Sequence, residues 1–99
     1  MNTFEISSQF DSWLQSLKDK KGRVRIAARI IAAEHGNFGD SKPVGEGVSE
    51  MRIHYGPGYR LYYTRKGETV YFLLIGGDKS SQKRDIEKAI EMARTVGKE

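Results

Sequence analysis

Two hydrophobic periods divide this chain, and the point where one replaces the other restricts its fold more than any other feature. In the first third, Phe10, Trp13, Leu14 and Leu17 recur at i, i+3, i+4, i+7, and Val24, Ala27, Ala28 and Ile31 repeat that spacing. Each set predicts one apolar stripe of an amphipathic helix. From residue 50 the period drops to two. Met51, Ile53 and Tyr55 alternate with Glu50, Arg52 and His54, and Tyr59, Leu61 and Tyr63 alternate with Arg60, Tyr62 and Thr64. Such alternation marks half-buried strands. The helical period returns at the end, with Ile86, Ala89, Ile90 and Ala93 on one face. A chain of 99 residues builds one modest core, so the helices must cover the same sheet.

Local signals set the boundaries. A short strand is expected over residues 3–7, and Ser8 with Asp11 three residues on reads as a capping box for the first helix. Lys20-Lys21-Gly22 reads as the turn between the two helices, and Gly36 as the stop of the second. His35, near that end, favours the helix dipole or caps a carbonyl. Residues 37–47, with Gly39, Pro43, Gly45 and Gly47, form a loop with a short extended piece at 42–44. Gly56-Pro57-Gly58 connects a β-hairpin. After a turn at Lys66-Gly67-Glu68, the nearly all-apolar segment 69–75 is a third, central strand ending at Gly76-Gly77. Ser80 or Ser81 caps the last helix and Gly97 ends it. The predicted order is β-α-α-β-β-β-α: one α+β domain over residues 1–99, a small antiparallel sheet with an N-terminal helical hairpin and a C-terminal helix.

The chain has no cysteine, which excludes a disulfide framework, a thiolate metal site and a cysteine nucleophile. Its two histidines, His35 and His54, have no ligand spacing, so no metal site is expected. The opening residues lack a basic segment followed by an apolar run, and no stretch approaches the roughly 18 apolar residues of a membrane span. A cytoplasmic protein without membrane contact is expected. Seventeen Lys and Arg against thirteen Asp and Glu give a net charge of +4, a balance that favours polyanionic partners.

Alternation predicts Met51, Ile53, Leu61, Val70, Phe72 and Leu74 on the helix-covered face of the sheet. The other face then carries Glu50, Arg52 and His54 beside Arg60, Tyr62 and Tyr71. Guanidiniums grip phosphates and aromatic rings stack on unpaired bases, so this mixture suits single-stranded nucleic acid. An ordinary solvated face, with Arg52 and Arg60 paired to Glu50 and Glu68, explains the same residues. His54 has the titration range of a general acid or base. Gly76-Gly77-Asp78-Lys79-Ser80-Ser81, between a strand and a helix, offers backbone N–H groups to an anion with Lys79 beside them. Six cations between Lys18 and Arg29 form either a solvated face or a track for RNA. Arg60, on the polar side of its strand, is expected to be removable with little loss of stability.

The segments Gly36-Asn37-Phe38-Gly39-Asp40-Ser41-Lys42, Glu50-Met51-Arg52, Gly56-Pro57-Gly58-Tyr59-Arg60-Leu61-Tyr62-Tyr63 and Gly76-Gly77-Asp78-Lys79-Ser80-Ser81-Gln82, with Asp85-Ile86, carry a resemblance. In that order and spacing they resemble the addiction-module killer proteins, a HigB-like, phage-associated branch of the RelE/ParE toxin superfamily, over nearly the whole chain. The resemblance implies the toxin of a type II toxin–antitoxin system, an endoribonuclease (mRNA interferase) that cuts messenger RNA on the ribosome without a cofactor. It implies neutralisation by an adjacently encoded antitoxin of helix-turn-helix type, with operator DNA reached only through that complex. On the same resemblance, Arg52 and His54 fall where RelE-like toxins carry two basic strand residues. Arg60 takes the arginine after the Gly-Tyr pair, and Lys79 a basic residue just after the last strand. Asp85 stands near a functional tyrosine of RelE, which leaves the general acid unassigned. Tyr62, Tyr71, Gln82 and Lys42 are the candidate RNA-binding residues. ParE-type relatives use the fold as a non-catalytic binder of DNA gyrase; the cations and His54 on one face favour the nuclease.

Overall fold

The computed structural model describes residues 1–96. Its elements are β1 (Thr3–Ile6), α1 (Ser8–Ser16), α2 (Lys20–Glu34), β2 (Ser41–Gly45), β3 (Val48–Ile53), β4 (Tyr59–Arg65), β5 (Val70–Gly77), a 3-10 turn (Lys79–Ser81) and α3 (Gln82–Ala93). The sheet order is β1-β5-β4-β3-β2, with β1 parallel to β5 and every other pair antiparallel. The α+β class, the helical hairpin, the β3–β4 hairpin and the C-terminal helix match the sequence reading. The sheet holds one strand more than expected, because the extended piece at 42–44 pairs with β3 as a full edge strand. Its prolines and glycines hide the alternation that identifies an interior strand. The expected helix stop at Gly97 lies outside the described residues.

The helix starts differ by one cap each. Ser7, not Ser8, caps α1: its hydroxyl accepts the Phe10 N–H at 2.9 Å and donates to the Leu74 carbonyl at 2.5 Å, fastening the helix to β5. Lys20-Lys21-Gly22 is not a turn but the first turn of α2, capped by Asp19, which accepts the Gly22 N–H at 3.0 Å and the Tyr59 hydroxyl at 2.8 Å. Gly22 is there for close packing, since a Cβ would meet Asp19 Oδ2 at 2.6 Å and the Tyr59 ring at 2.7 Å. His35 caps α2, its Nδ1 lying 3.0 Å from the Ile31 carbonyl.

Both sheet faces are covered. On one, Phe10 of α1 and Ile26 and Ala33 of α2 pack on Met51, Ile53, Tyr59, Leu61, Tyr63 and Leu73. On the other, Ala89 of α3 packs on Val48, Tyr62, Leu74 and Ile75, with Phe72 partly buried beside them. The expected single face is therefore wrong for β5. Phe72 and Leu74 face α3, whereas Tyr71 and Leu73 face the hairpin. A strand apolar on both sides carries no alternation from which its faces can be read. An irregularity opposite Tyr62 and Tyr63 then turns both Leu74 and Ile75 toward α3. Close approach at the end of β5 requires glycine: a Cβ on Gly76 would lie 2.2 Å from the Trp13 ring, and one on Gly77 2.0 Å from Asp85 Oδ2. The pair serves helix packing on both faces.

Candidate active site

At the end of the sheet nearest the β3–β4 hairpin, the face shared with α3 changes from apolar to ionic. Arg52 of β3 lies opposite Arg60 of β4, and Arg60 opposite Gly77 of β5. One row inward, Lys42, Glu50, Tyr62 and Ile75 stand side by side across four strands. Directly opposed residues share a face, so the two guanidiniums and Glu50 meet beneath the start of α3. Glu50 is fully buried, and its Oε1 accepts Arg52 Nε at 2.9 Å and Arg60 Nη1 at 3.2 Å. Gln82, the first residue of α3, donates its amide to both Glu50 oxygens, at 3.3 and 3.1 Å. Burial alone would raise the Glu50 carboxyl, but hydrogen bonds from Arg52 and Gln82 and the charge of Arg60 outweigh it and hold it below the usual glutamate range.

The carboxylate accounts for the orientation of the two arginines. Arg52 keeps 27% of its side chain exposed and Arg60 12%, so both are anchored on their inner side, Arg52 partly open to solvent and Arg60 largely buried with its Nε unpartnered. The same hydrogen bond to Glu50 raises the Arg52 pKa. Glu68 takes no part in this network; Glu50 serves both arginines.

His54 follows β3 and is mostly exposed. Its Nε2 donates to Asp40 Oδ2 at 2.5 Å. That bond from His54 lowers the Asp40 pKa, with smaller contributions from Arg52 and Arg29. The acceptor of the Nε2 proton is thus a carboxylate, and Nδ1 makes no hydrogen bond among the described residues. Asp40 is itself fixed from the backbone: its carbonyl accepts the Arg52 N–H at 2.9 Å. Arg29 of α2 donates to the carbonyls of Arg52, of Phe38 at 2.9 Å and of Asp40 at 3.2 Å. Arg29 is therefore a structural tie between the 37–41 loop and β3, not part of a solvated or RNA-tracking face. The roles of Asp40 and Arg29 escaped the sequence reading, which paired the arginines with Glu50 and Glu68 on a solvated face but missed that Glu50 is buried and serves both. Only the motif around Asp40 hinted at the first, since partners fourteen residues apart leave no local pattern.

Lys79 is exposed at the start of the 3-10 turn, where its N–H donates to the Pro57 carbonyl at 3.4 Å and its Cβ lies close to Gly58. The strand register and the hairpin turn thus bring Arg52, Arg60, His54 and Lys79 to one end of the sheet. The expected anion site on the turn's backbone is already filled from within, because Asp78 Oδ1 accepts the Ser80 N–H at 2.8 Å. Lys42 is exposed on β2 beside the Glu50 row.

The aromatic candidates do not reach this surface. Tyr62 is fully buried under α3, with its pKa pushed up by burial first and then by the Glu50 and Asp85 carboxylates. Tyr71 faces the opposite side, stacked at 5.2 Å on Phe4 and tilted against Phe38. Tyr62 is closed to a base, Tyr71 lies on the face away from the arginines, and Gln82 turns its amide inward to Glu50. The sequence reading assumed an open second face; α3 covers most of it.

A match to the family described as Phage derived protein Gp49-like (DUF891) spans residues 12–97. The chain belongs to this phage-derived Gp49-like family. A similar chain is an uncharacterized protein of Haemophilus influenzae, 46% identical over 88 residues that make up 89% of each chain. Among solved structures, the Gp49-like chain resembles one in the intact E. coli RelBE toxin–antitoxin complex, with TM-score 0.67 and 16% identity over 79% of this chain and 96% of that one. It also resembles a free double arginine-to-alanine mutant of the E. coli toxin RelE, with TM-score 0.70 and 15% identity over 96% of this chain and 97% of that one. The Gp49-like chain therefore has the RelE fold. Among the described residues, no group of three His, Asp or Glu is placed to hold a metal, and no helix is long and apolar enough to cross a membrane.

Proposed function

We propose that this chain is the toxin of a type II toxin–antitoxin pair and acts as an endoribonuclease that cuts messenger RNA on the ribosome. The observation that carries the reading is the pair of guanidiniums, Arg52 and Arg60, held by one buried carboxylate beside the His54–Asp40 pair. Cleavage by attack of a 2′-hydroxyl on the adjacent phosphate forms a 2′,3′-cyclic phosphate and expels the 5′-oxygen. The 2′-proton leaves to a base, the phosphorane carries extra negative charge, and the 5′-oxygen takes up a proton. His54 Nδ1 is the base. Arg60, Arg52 and Lys79 neutralise the phosphorane, where one placed donor is worth about 10²–10³-fold. Imidazolium left by the first proton transfer, steadied by Asp40, supplies the proton to the leaving oxygen.

The site offers cations but no stacking platform, since Tyr62 and Tyr71 are both turned away. A nuclease of this design depends on something else to splay and hold the RNA, and the ribosome does so. The neutralising partner is an antitoxin, by analogy with the RelBE complex whose toxin shares this fold. Expression of the chain alone is expected to arrest growth, with primer extension finding cuts inside translated messages, both lost in His54→Ala. Intact messages together with trapped gyrase–DNA complexes would move the assignment to a ParE-type gyrase binder.

A further inference from the structure

The stripe Val24, Ala27, Ala28, Ile31, predicted to face the core, points away from it. Val24 is 69% and Ile31 54% exposed, and both alanines between them are exposed. The core is reached through Gly22, Ile26 and Ala33, with Ile30 partly buried. At about 100° per residue these lie on the opposite side of the helix. Helix α2 thus has two apolar stripes, of which the described residues cover only one. The outer stripe runs into a shallow groove of about 440 Å³ between α1 and α2, lined by Leu14, Gln15, Lys20, Arg23, Val24 and Ala27. Lys21 and Arg25 border its other side, and Arg25 is braced over the Tyr55 ring at 4.4 Å. Before Glu34, α2 has no acidic residue.

We propose that the outer stripe of α2 is a docking surface for an acidic amphipathic helix of a partner protein, which on the toxin reading, on which this inference rests, is the antitoxin. Two alanines between Val24 and Ile31 form a saddle that lets a second helix approach closely. Cations on both borders match carboxylates flanking the partner's apolar stripe, which sets orientation and speeds encounter. A membrane surface is a poorer fit, because the stripe lacks the Trp, Phe and Leu that enter lipid. A second copy of the chain would bring the same cations to both sides of one seam. For RNA, the ring beside this surface, Tyr55, is already covered by Arg25. The surface lies on the side of the sheet opposite Glu50, so anchoring a partner there leaves Arg52 and Arg60 uncovered unless another segment reaches them.

The test uses the full-length chain and the full-length protein encoded beside it, purified separately and titrated by calorimetry. Val24→Arg/Ile31→Arg, both at exposed positions, is expected to keep the wild-type melting temperature and to weaken binding by at least about 30-fold, the size of an interface hot spot. Lys21→Glu/Arg25→Glu is expected to weaken it about 10-fold at low salt, with a smaller gap at high salt. Unchanged affinity in the folded arginine double variant would overturn the proposal while leaving the toxin reading in place. No binding by the wild-type chain would overturn both. Adsorption to phosphatidylglycerol vesicles, or a dimer of the isolated chain, lost in the same variants without loss of partner binding, would give the stripe to lipid or to self-association and overturn the helix-docking proposal.

Discussion

Against the helical hairpin, the sheet presents Met51, Ile53, Leu61 and Leu73 to an apolar and aromatic core, with polar ties from Ser7, Asp19 and Arg29 at its margins. Against α3, the same strands present Val48 and Leu74, then Tyr62 directly beside Glu50, and at the hairpin end Arg52 and Arg60. The first face stabilises by removing apolar area from water, at about 25 cal/mol per Å². The second tolerates a buried carboxylate only because two guanidiniums and an amide satisfy it, and such an arrangement gives little net stability compared with an apolar substitute. The difference separates two tasks within one small sheet. Substitutions on the hairpin face should act on folding, and those on the ionic end increasingly on chemistry.

The sharpest break is expected at Phe10, which is fully buried between α1 and the sheet. Phe10→Ala should cost about 3–5 kcal/mol, from lost transfer energy and the cavity left behind. Urea denaturation measures the loss. On the proposed function, cleavage per folded molecule should not change. A cost under 1 kcal/mol would mean that the hairpin face is not the main source of stability.

Glu50 comes next, and it tests the contrast from the other side. Glu50→Ala removes the one carboxylate that both arginines share and should cost about 2–4 kcal/mol, while Glu50→Gln, which keeps the volume and one acceptor, costs less. The acid limb of the stability curve should separate these variants from the native chain. With the folded carboxyl held below the usual glutamate value, the unfolded chain takes up the proton first as pH falls. The contribution is therefore complete above about pH 4.3 and is lost as pH drops through the lower folded value. The Glu50→Gln curve should lack that limb, so the gap between wild type and variant should narrow as pH falls. A parallel offset at every pH would mean that the carboxylate contributes packing alone.

These effects also mark where the sequence was legible. The first helix could be read because it buries one side only, and the β3–β4 hairpin because the residues on its α3 side, Glu50, Arg52, Arg60, Tyr62 and Thr64, carry polar groups even where they are buried, so the period survives in Met51, Ile53 and Tyr59, Leu61, Tyr63. β5 could be recognised as a strand but not oriented, since Tyr71, Phe72, Leu73 and Leu74 are apolar on both sides. Helix α2 misled in a more instructive way. Its regular stripe Val24, Ala27, Ala28, Ile31 is exposed, and the buried one contains Gly22 and borders Arg29, neither of which reads as apolar. Charge was the other blind spot. Arg60, expected to be expendable for stability, is anchored on a buried carboxylate ten residues away, and strand alternation cannot tell an open polar face from one closed by a later helix.

Lys79 should give the smallest stability effect and thereby the cleanest separation of the two tasks. Its side chain is exposed, and it makes no ion pair or side-chain hydrogen bond among the described residues. Truncation to alanine should therefore alter unfolding by no more than about 0.5 kcal/mol. Arg60→Ala offers the contrast, because it strands part of the Glu50 charge and should cost about 1–3 kcal/mol. If Lys79 neutralises the phosphorane as proposed, Lys79→Ala should still slow single-turnover cleavage on programmed ribosomes about 10²-fold, with Lys79→Arg recovering part of the rate. Urea denaturation beside the cleavage assay reads both quantities on the same preparations. A stable Lys79→Ala protein that cleaves at the full rate would remove Lys79 from the site and leave the chemistry to the arginine pair and His54. A destabilised one would show that the Lys79 side chain beyond its Cβ supports the end of the sheet, since alanine keeps both the N–H bond to Pro57 and the Cβ beside Gly58, and the boundary between folding and chemistry would then move inward to Arg60.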